Sequence, residues 1–272
     1  MSAVTVDPFA PAVDAGPVRF LYRLNPLAKL AAILPATALL VFVRDIATPV
    51  AFLALAYLVL IVGARASRRL VLALTVAVPV GILVIACGFS LWADPGPLDT
   101  TPVVLQIGGW RLYAGALAVG FATALRLGAI IALALAAGFT TTGPDLARSL
   151  VQQLRVPYRV GYTALAAFRF VPRFAHELDV IRQAHRVRGA HGGRGPFAVL
   201  ARWFGYIVPL LAGAIRHAER VALAMDARAF GAYPDRTERH LVPFRVRDTV
   251  FVLAFWAVSA AVFWALYPWG LG

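Results

Sequence analysis

The sequence is poor in charge, cysteine and lysine, and each shortage excludes a class of protein. Only 14% of its 272 residues are charged, whereas 61% are hydrophobic, which is more apolar than an ordinary soluble domain. The single cysteine, Cys87, excludes an internal disulfide framework and a cysteine-based metal site. The single lysine, Lys29, has no glycine-rich phosphate loop before it, so the chain cannot be a P-loop ATPase. The composition therefore predicts a membrane protein without ATPase chemistry of its own.

The sequence contains several long stretches of apolar residues. A helix needs about 20 apolar residues to cross the hydrocarbon core of a bilayer. The runs that approach or exceed this length predict about five transmembrane helices, over residues 30–43, 46–64, 70–92, 112–139 and 250–269. Pro35 lies within the first and shortest run, which predicts a kinked or partly interfacial helix there.

The charge is concentrated in one segment. Residues 143–247 hold 17 arginines against 7 acidic residues, a net charge of +10, whereas the other 167 residues carry +3. Arginines also collect in alternate short loops, which predicts a cytoplasmic amino terminus because cytoplasmic loops carry the excess of positive charge. The first 18 residues have neither lysine nor arginine and do not resemble a secretory signal peptide. The predicted organisation is a flexible tail (1–18), transmembrane helices 1–4 (19–142), a cytoplasmic helical domain (143–247) and a carboxyl-terminal transmembrane helix (248–272).

Amphipathic helices bounded by breakers are predicted inside the basic segment. Gly143-Pro144-Asp145 is typical of a first helical turn, and that helix should end at Pro157. A second helix is expected over about 159–188 and a third over about 197–229. No soluble α/β domain fits this pattern.

Two arginines recur at an offset of forty residues. Ala184 aligns with Ala224 and Arg188 with Arg228, and a small residue follows each arginine in the final turn of a predicted helix. An exposed guanidinium flanked by small residues suits a groove on another protein, where it can engage carboxylates or carbonyls in two directions. The alternative is ordinary helix capping on a solvated face. The spacing by itself leaves both interpretations open.

Three stretches resemble the transmembrane T component of energy-coupling-factor transporters: TTGPDLARSL, FRFVPRFAHELDVIRQAHRVRGA and AMDARAFG. The resemblance implies an all-α polytopic membrane protein with about five transmembrane helices and long amphipathic cytoplasmic coupling helices. It assigns the ATPase-coupling role to two motifs, Val187-Arg188-Gly189 and Ala227-Arg228-Ala229. Val187 stands where the family usually has alanine, and Ala229 where it usually has glycine.

The same resemblance implies the partners and the location. The partners are two ABC-type ATPase subunits, a membrane S component that binds the substrate, and membrane lipid. The assembly would import a vitamin or a transition-metal ion across the cell (inner) membrane. The chain itself would be non-catalytic and would hold no cofactor. The coupling helices carry apolar side chains that the S component or the membrane surface could cover, unless they pack on each other: Leu165, Phe168, Phe170, Phe174, Leu178, Ile207, Leu210, Leu211, Leu223 and Met225.

Two other function classes stay open on the residues alone. The chain could be a stand-alone membrane enzyme or channel, although no two aspartates lie within one helical turn of each other in an amphipathic stretch, as a magnesium-dependent transferase would require. It could also be a membrane-anchored protein whose basic segment binds anionic lipid or nucleic acid; we expect no nucleic-acid partner. The five histidines all lie in the basic segment without a short ligand pair, so no metal site is predicted.

Arg126 is the one charge deep inside a predicted span. An ionised group within a membrane is costly and marks function or a buried partner. We interpret it as an intramembrane anchor. The alternative is a tilted or broken helix near Gly128 that lets the side chain reach an interface.

Overall fold

The computed structural model describes residues 20–64, 71–92, 101–107, 110–189, 195–234 and 237–266. The chain divides into two compact units. We call residues 12–146 together with 242–272 the membrane unit, and residues 147–241 together with 1–11 the hairpin unit. The α-helices are α1 (Pro26–Phe42), α2 (Ala47–Gly63), α3 (Val78–Trp92), α4 (Ala114–Phe139), α5 (Gly143–Leu154), α6 (Tyr158–Val187), α7 (Pro196–Asp226) and α8 (Val246–Leu266).

The prediction of an all-α polytopic membrane protein is confirmed. Among the described residues, α4, α8 and the segment Leu74–Trp92, which is α3 with a π-helical turn before it, are long and apolar enough to cross a membrane. The helices α1 and α2 are apolar but have 17 residues each, slightly short of the usual span. Within α1 the helix continues through Pro35.

One further helix, α7, also meets the length and hydropathy criterion for a span, although it was predicted as part of the cytoplasmic domain. It belongs to the hairpin unit. Its uninterrupted apolar run covers only residues 203–215, because Arg202 and Arg216 bound it. Hydropathy averaged over a longer stretch therefore conceals the polar residues of an amphipathic helix. The apolar run alone is shorter than the roughly 20 residues that a helix needs to cross a bilayer core.

Small residues let α3 and α4 approach closely in the membrane unit. A Cβ atom added to Gly120 would clash with Ser90 Oγ and would lie 2.6 Å from the Ala86 carbonyl oxygen. A Cβ atom added to Gly128 would lie 2.6 Å from Ile82 Cδ1. Membrane helices pack through such small-residue contacts because lipid supplies no hydrophobic force to join them.

A buried polar network ties the amino-terminal turn of α1 to two distant segments of the membrane unit. The carboxylate of Asp248 is buried and accepts hydrogen bonds from the backbone N–H of Asn25 at 2.8 Å and of Arg245 at 2.7 Å. The Lys29 ammonium is buried and donates to the Thr140 carbonyl oxygen at 2.7 Å. The first turn of α1 therefore fixes both the start of α8 and the end of α4.

A two-stranded antiparallel hairpin precedes α4 and corrects the predicted bounds of that span. Strand β1 (Val103–Ile107) pairs with β2 (Trp110–Tyr113), with Ile107 opposite Trp110. The span predicted from residue 112 begins only at Ala114, because residue 112 belongs to β2. Hydropathy favoured extending the helix, but the β-branched and aliphatic run in β1 favours a strand with a partner beside it.

Candidate functional site

The helices α6 and α7 of the hairpin unit lie antiparallel. The Phe170 ring contacts the His217 ring with 4.7 Å between centroids, and the His185 ring contacts Tyr206 at 5.3 Å. The Arg182 guanidinium lies 5.2 Å from the Trp203 ring centroid. An early residue of α6, Phe170, contacts a late residue of α7, whereas the later residues Arg182 and His185 contact early residues of α7, which defines the antiparallel direction. The carboxyl-terminal ends of the two helices consequently lie at opposite ends of the pair.

Local sequence explains where both helices begin. Pro157 is the N-cap residue of α6, and its ring restricts the backbone just before the helix. The residue before α7 is Gly195, whose φ of 127° is accessible to glycine and strained for other residues. Pro196 then occupies the first turn of α7, where its missing N–H leaves no intrahelical hydrogen bond unmade.

The carboxyl-terminal end of α7 is a Schellman motif centred on the predicted coupling residues. The N–H of Phe230 donates to the Met225 carbonyl at 3.0 Å, and the N–H of Ala229 donates to the Asp226 carbonyl at 2.9 Å. Ala229 is left-handed with a φ of 53°. These bonds are the 6→1 and 5→2 pairs that close a helix end, and they make Arg228 the last residue before the chain reverses.

The carboxyl-terminal end of α6 shares two of these features, the 5→2 hydrogen bond and the left-handed residue after the arginine. The N–H of Gly189 donates to the Arg186 carbonyl at 3.1 Å, and Gly189 is left-handed with a φ of 68°. Arg188 is the C-cap residue and donates its N–H to the Ala184 carbonyl at 3.1 Å. Arg188 and Arg228 therefore occupy equivalent positions, each immediately before a left-handed residue that ends a helix.

All six residues of the two motifs are solvent-exposed: Val187, Arg188, Gly189, Ala227, Arg228 and Ala229. The apolar Val187 side chain is 89% exposed. Within the described part of the chain, neither motif guanidinium has a recorded hydrogen bond or ion pair, whereas Arg173 and Arg182 of α6 pair with acidic neighbours. Each helix end thus presents an arginine with its donor groups available to a partner.

The two arginines are not brought together. A straight helix of 30 residues is about 45 Å long, and α6 has that many residues. The aromatic contacts run along most of the pair, from Tyr158 and Phe230 at one end, with 5.7 Å between ring centroids, to His185 and Tyr206 near the other. A single helical hairpin therefore carries both arginines, one at each end.

The segment that follows Arg228 is held in place by residues that the sequence analysis did not single out. Tyr158 donates its hydroxyl to the Tyr233 carbonyl at 2.6 Å, and Tyr162 donates to Glu238 Oε2 at 2.7 Å. Both tyrosine rings contact Phe230 edge-on. The only sequence signal was two tyrosines four residues apart after a proline, which is typical of any amphipathic helix.

The apolar side chains predicted on these helices separate into two groups. One group is half-buried: Leu165, Phe170, Phe174, Leu178, Leu210 and Met225. The exposed members are Phe168, Ile207, Leu211 and Leu223. Further exposed apolar residues extend the surface, among them Val171, Phe204, Val208 and Ile215. The exposed group could still be covered by a partner or the membrane, which stays a prediction.

Arg126 lies in the membrane unit, on α4. Its Nη1 atom donates to the carbonyl oxygens of Val41 at 3.2 Å and Val43 at 3.0 Å. These carbonyls lie at the end of α1, where the helix supplies no further N–H partners. The guanidinium thereby joins α4 to the last turn of α1.

Histidines are dispersed across the hairpin unit. His185 and His217 pack against aromatic rings, and His240 lines a cavity beside Arg228; His191 lies outside the described residues. Over the described ranges, no three His, Cys, Asp or Glu side chains form a group that could hold a metal ion.

Comparison with known proteins places this architecture in a family. Residues 17–239 match the family model described as CbiQ, cobalt transport protein. The chain is 33% identical over 159 residues to the energy-coupling factor transporter transmembrane protein EcfT of Thermotoga maritima, covering 55% of this chain and 59% of that protein. It is 26% identical over 170 residues to EcfT of Bacillus subtilis, covering 60% and 64%. These two alignments span less than two thirds of the relatives' lengths, whereas the match to EcfT of Staphylococcus aureus, at 24% identity over 252 residues, covers 90% of this chain and 92% of that one.

Proposed function

The chain belongs to the CbiQ cobalt transport protein family and is a T component of an energy-coupling-factor transporter, and from this premise we propose that it couples two ABC-type ATPase subunits to a substrate-binding S component. In this proposal α6 and α7 are the coupling helices. Arg188 docks in one ATPase subunit and Arg228 in the other. ATP binding and hydrolysis take place in those subunits.

One observation carries the proposal: a single antiparallel helix pair presents two equivalent arginine ends at its opposite extremities. Both arginines precede a left-handed residue, and both are exposed. Two copies of one ATPase would offer two equivalent binding grooves. The two arginine-bearing ends of the α6–α7 pair would match these grooves. Ordinary capping of solvated helices would require neither the equivalence nor the exposed Val187 beside Arg188.

The mechanism needs rigidity and force transmission. When ATP brings the two ATPase subunits together, one subunit pushes on the Arg188 end of α6 and the other pushes on the Arg228 end of α7. The contacts between Arg182 and Trp203 and between Phe170 and His217 keep α6 and α7 joined, so the push changes their angle or position as a pair. The ATPase state that binds the ends better then biases that arrangement.

The S component and the membrane are the proposed occupants of the exposed apolar surface on α6 and α7. Side chains such as Val208 and Leu223 are 72% and 68% exposed, and exposed apolar areas of this kind mark protein or membrane contact. The proposed cargo is a vitamin or a transition-metal ion, recognised by the S component. The proposed location is the cell (inner) membrane with the amino terminus in the cytoplasm.

The proposal is tested by isolating the transporter with the double variant Arg188→Glu and Arg228→Glu. Reversing both charges should abolish co-isolation of the ATPase subunits while the chain still inserts in the membrane. The matched control is Arg216→Glu with Arg220→Glu, two exposed arginines within α7, which should retain the ATPases. Each single variant should keep one of the two ATPase contacts, so that a reduced amount of the ATPase subunits co-isolates with the chain. Full ATPase retention in the double variant would refute the assignment.

A further inference from the structure

Arg155 lies in the turn between α5 and α6 with a left-handed backbone, at a φ of 54°. Among the described residues, the one other non-glycine residue with a positive φ is Ala229, which follows the predicted coupling arginine Arg228. A left-handed backbone is costly for a residue with a Cβ atom, and residues held in this way cluster at functional sites. Both positions belong to the hairpin unit.

The start of α6 is fastened to the segment that follows the predicted coupling motif of α7. The Tyr158 ring lies 5.7 Å from the Phe230 ring, and the Tyr158 hydroxyl donates to the Tyr233 carbonyl at 2.6 Å. The next residue, Arg159, donates to the Gly231 carbonyl. A Cβ atom added to Gly231 would lie 3.0 Å from Arg159 Nε. Two consecutive residues of α6 therefore hold the chain just after the end of α7.

Arg155 and Arg228 are consequently close enough to contact the same partner. Arg155 precedes Tyr158 by three residues, which span about 11 Å at most. Arg228 precedes Phe230, the ring partner of Tyr158, by two residues. A protein interface of standard size covers about 800 Å² on each partner, a patch about 30 Å across. A partner bound at Arg228 is therefore wide enough to reach the turn.

The chemistry of the turn suits an acidic protein surface. Arg155 and Leu154 are exposed, Leu154 by 62%, and Arg155 makes no hydrogen bond or ion pair with the other described residues. Glu238 lines a cavity together with Arg155, but its Oε2 atom accepts the Tyr162 hydroxyl at 2.7 Å. The sequence has no acidic residue over positions 146–176. The Arg155 guanidinium is therefore available to a carboxylate of another protein.

We propose that the turn of residues 154–157 is a further contact for the ATPase subunit that receives Arg228, an inference that rests on the docking proposal. The Arg155 guanidinium pairs with a carboxylate of that subunit through two parallel N–H groups. Leu154 packs against an apolar part of the same surface. Glycine would form this turn without strain, so the side chain of Arg155 is the reason for an arginine at this position.

Photo-crosslinking in the assembled transporter tests which subunit contacts the turn. A photoreactive phenylalanine replaces Leu154, and the matched control is the same replacement at Val171 of α6, which is 63% exposed. Position 154 should capture an ATPase subunit, and position 171 should capture none. A chain with photoreactive residues at 154 and at Ala227 should capture one subunit on a denaturing gel. A chain with photoreactive residues at 154 and at Val187 should capture two.

Substitutions at Arg155 separate the effect of its side chain from that of its backbone. Arg155→Gly removes the guanidinium and relaxes the left-handed backbone. The detergent-solubilised chain should therefore bind its ATPase subunits about tenfold more weakly, while its thermal midpoint rises. Arg155→Lys keeps the charge without the planar pair of donors and should weaken binding less. Arg220→Gln, at an exposed arginine within α7, is the control and should leave the dissociation constant unchanged.

The outcomes distinguish the contact at the turn from the docking proposal. Crosslinks from position 154, with weaker binding and a raised thermal midpoint in Arg155→Gly, support the contact. The contact is refuted if position 154 captures no ATPase, if positions 154 and 227 of one chain capture two different subunits, or if Arg155→Gly binds as tightly as the parent chain. The docking proposal survives each of these results provided that Ala227 and Val187 still capture their subunits. If neither of those positions captures an ATPase, the docking proposal fails and the contact fails with it.

Discussion

At the scale of single residues, Ala229 is the most informative position of the predicted coupling motifs. It holds a left-handed backbone with a φ of 53°, which costs a residue with a Cβ atom about 1 kcal/mol relative to glycine. The equivalent position after the other arginine is Gly189, at a φ of 68°, where no such cost arises. The two helix ends are therefore alike in geometry and unequal in stability.

Replacing Ala229 with glycine should stabilise the end of α7 by about 1 kcal/mol. Hydrogen exchange at the amides of residues 226–230 measures this directly, and protection should rise. Ala227→Gly is the matched control, because Ala227 is helical with a φ of −61° and glycine there should reduce protection by a similar amount. If both glycine variants changed protection in the same direction, the left-handed assignment of Ala229 would be wrong.

The sequence predicted Arg188 and Arg228 because their spacing and small neighbours repeat. It could not reveal the conformation of Ala229, since alanine is typical of a helix interior. It also missed Asp248 and Lys29, whose interactions join segments more than a hundred residues apart. Local patterns identify residues that act through their own helix, whereas long-range partners appear only when the chain is folded.

At the scale of elements, the first turn of α1 is a junction of the membrane unit. Asn25 caps α1 by accepting the N–H of Leu27 at 2.9 Å, and its own N–H donates to Asp248 at 2.8 Å. Asp248 and Asp145 are the acidic groups that interact electrostatically with the buried Lys29. Three helices and the turn after α4 are therefore connected through one polar cluster.

Removing one member of this cluster should be costly, since a buried charge that loses its partner is destabilised by about 3–5 kcal/mol. We expect Asp248→Asn and Lys29→Met each to lower the midpoint of thermal unfolding in detergent. The double variant should lose less stability than the sum of the two, with a coupling of about 1 kcal/mol or more. Strict additivity would contradict an interaction between these groups.

The helices themselves were largely predictable, because apolar runs, prolines and glycines mark their limits. α5, α6 and α7 begin and end within a few residues of the predicted positions. The strands β1 and β2 were not predicted, because their pairing depends on two segments meeting and neither has a strong strand signal alone. The contacts between α6 and α7, such as Arg182 with Trp203, were not predictable either, because helical periodicity shows which face of a helix is apolar but not which residues of another helix it contacts.

At the scale of the whole molecule, we propose that this T component carries both ATPase contacts on one helical hairpin. In this proposal Arg188 and Arg228 take part in no reaction. Each binds a groove on an ATPase subunit, and the rigid pair of helices α6 and α7 connects them.

The most direct test of the coupling account is photo-crosslinking from both helix ends in the assembled transporter. A photoreactive phenylalanine is introduced at Val187, at Ala227 or at both, with Arg216 as the control position. The account predicts that each motif position crosslinks to an ATPase subunit, that the doubly substituted chain captures two ATPase subunits at once, and that position 216 captures none. Crosslinks from neither end, or two ends that never capture an ATPase in the same chain, would contradict it.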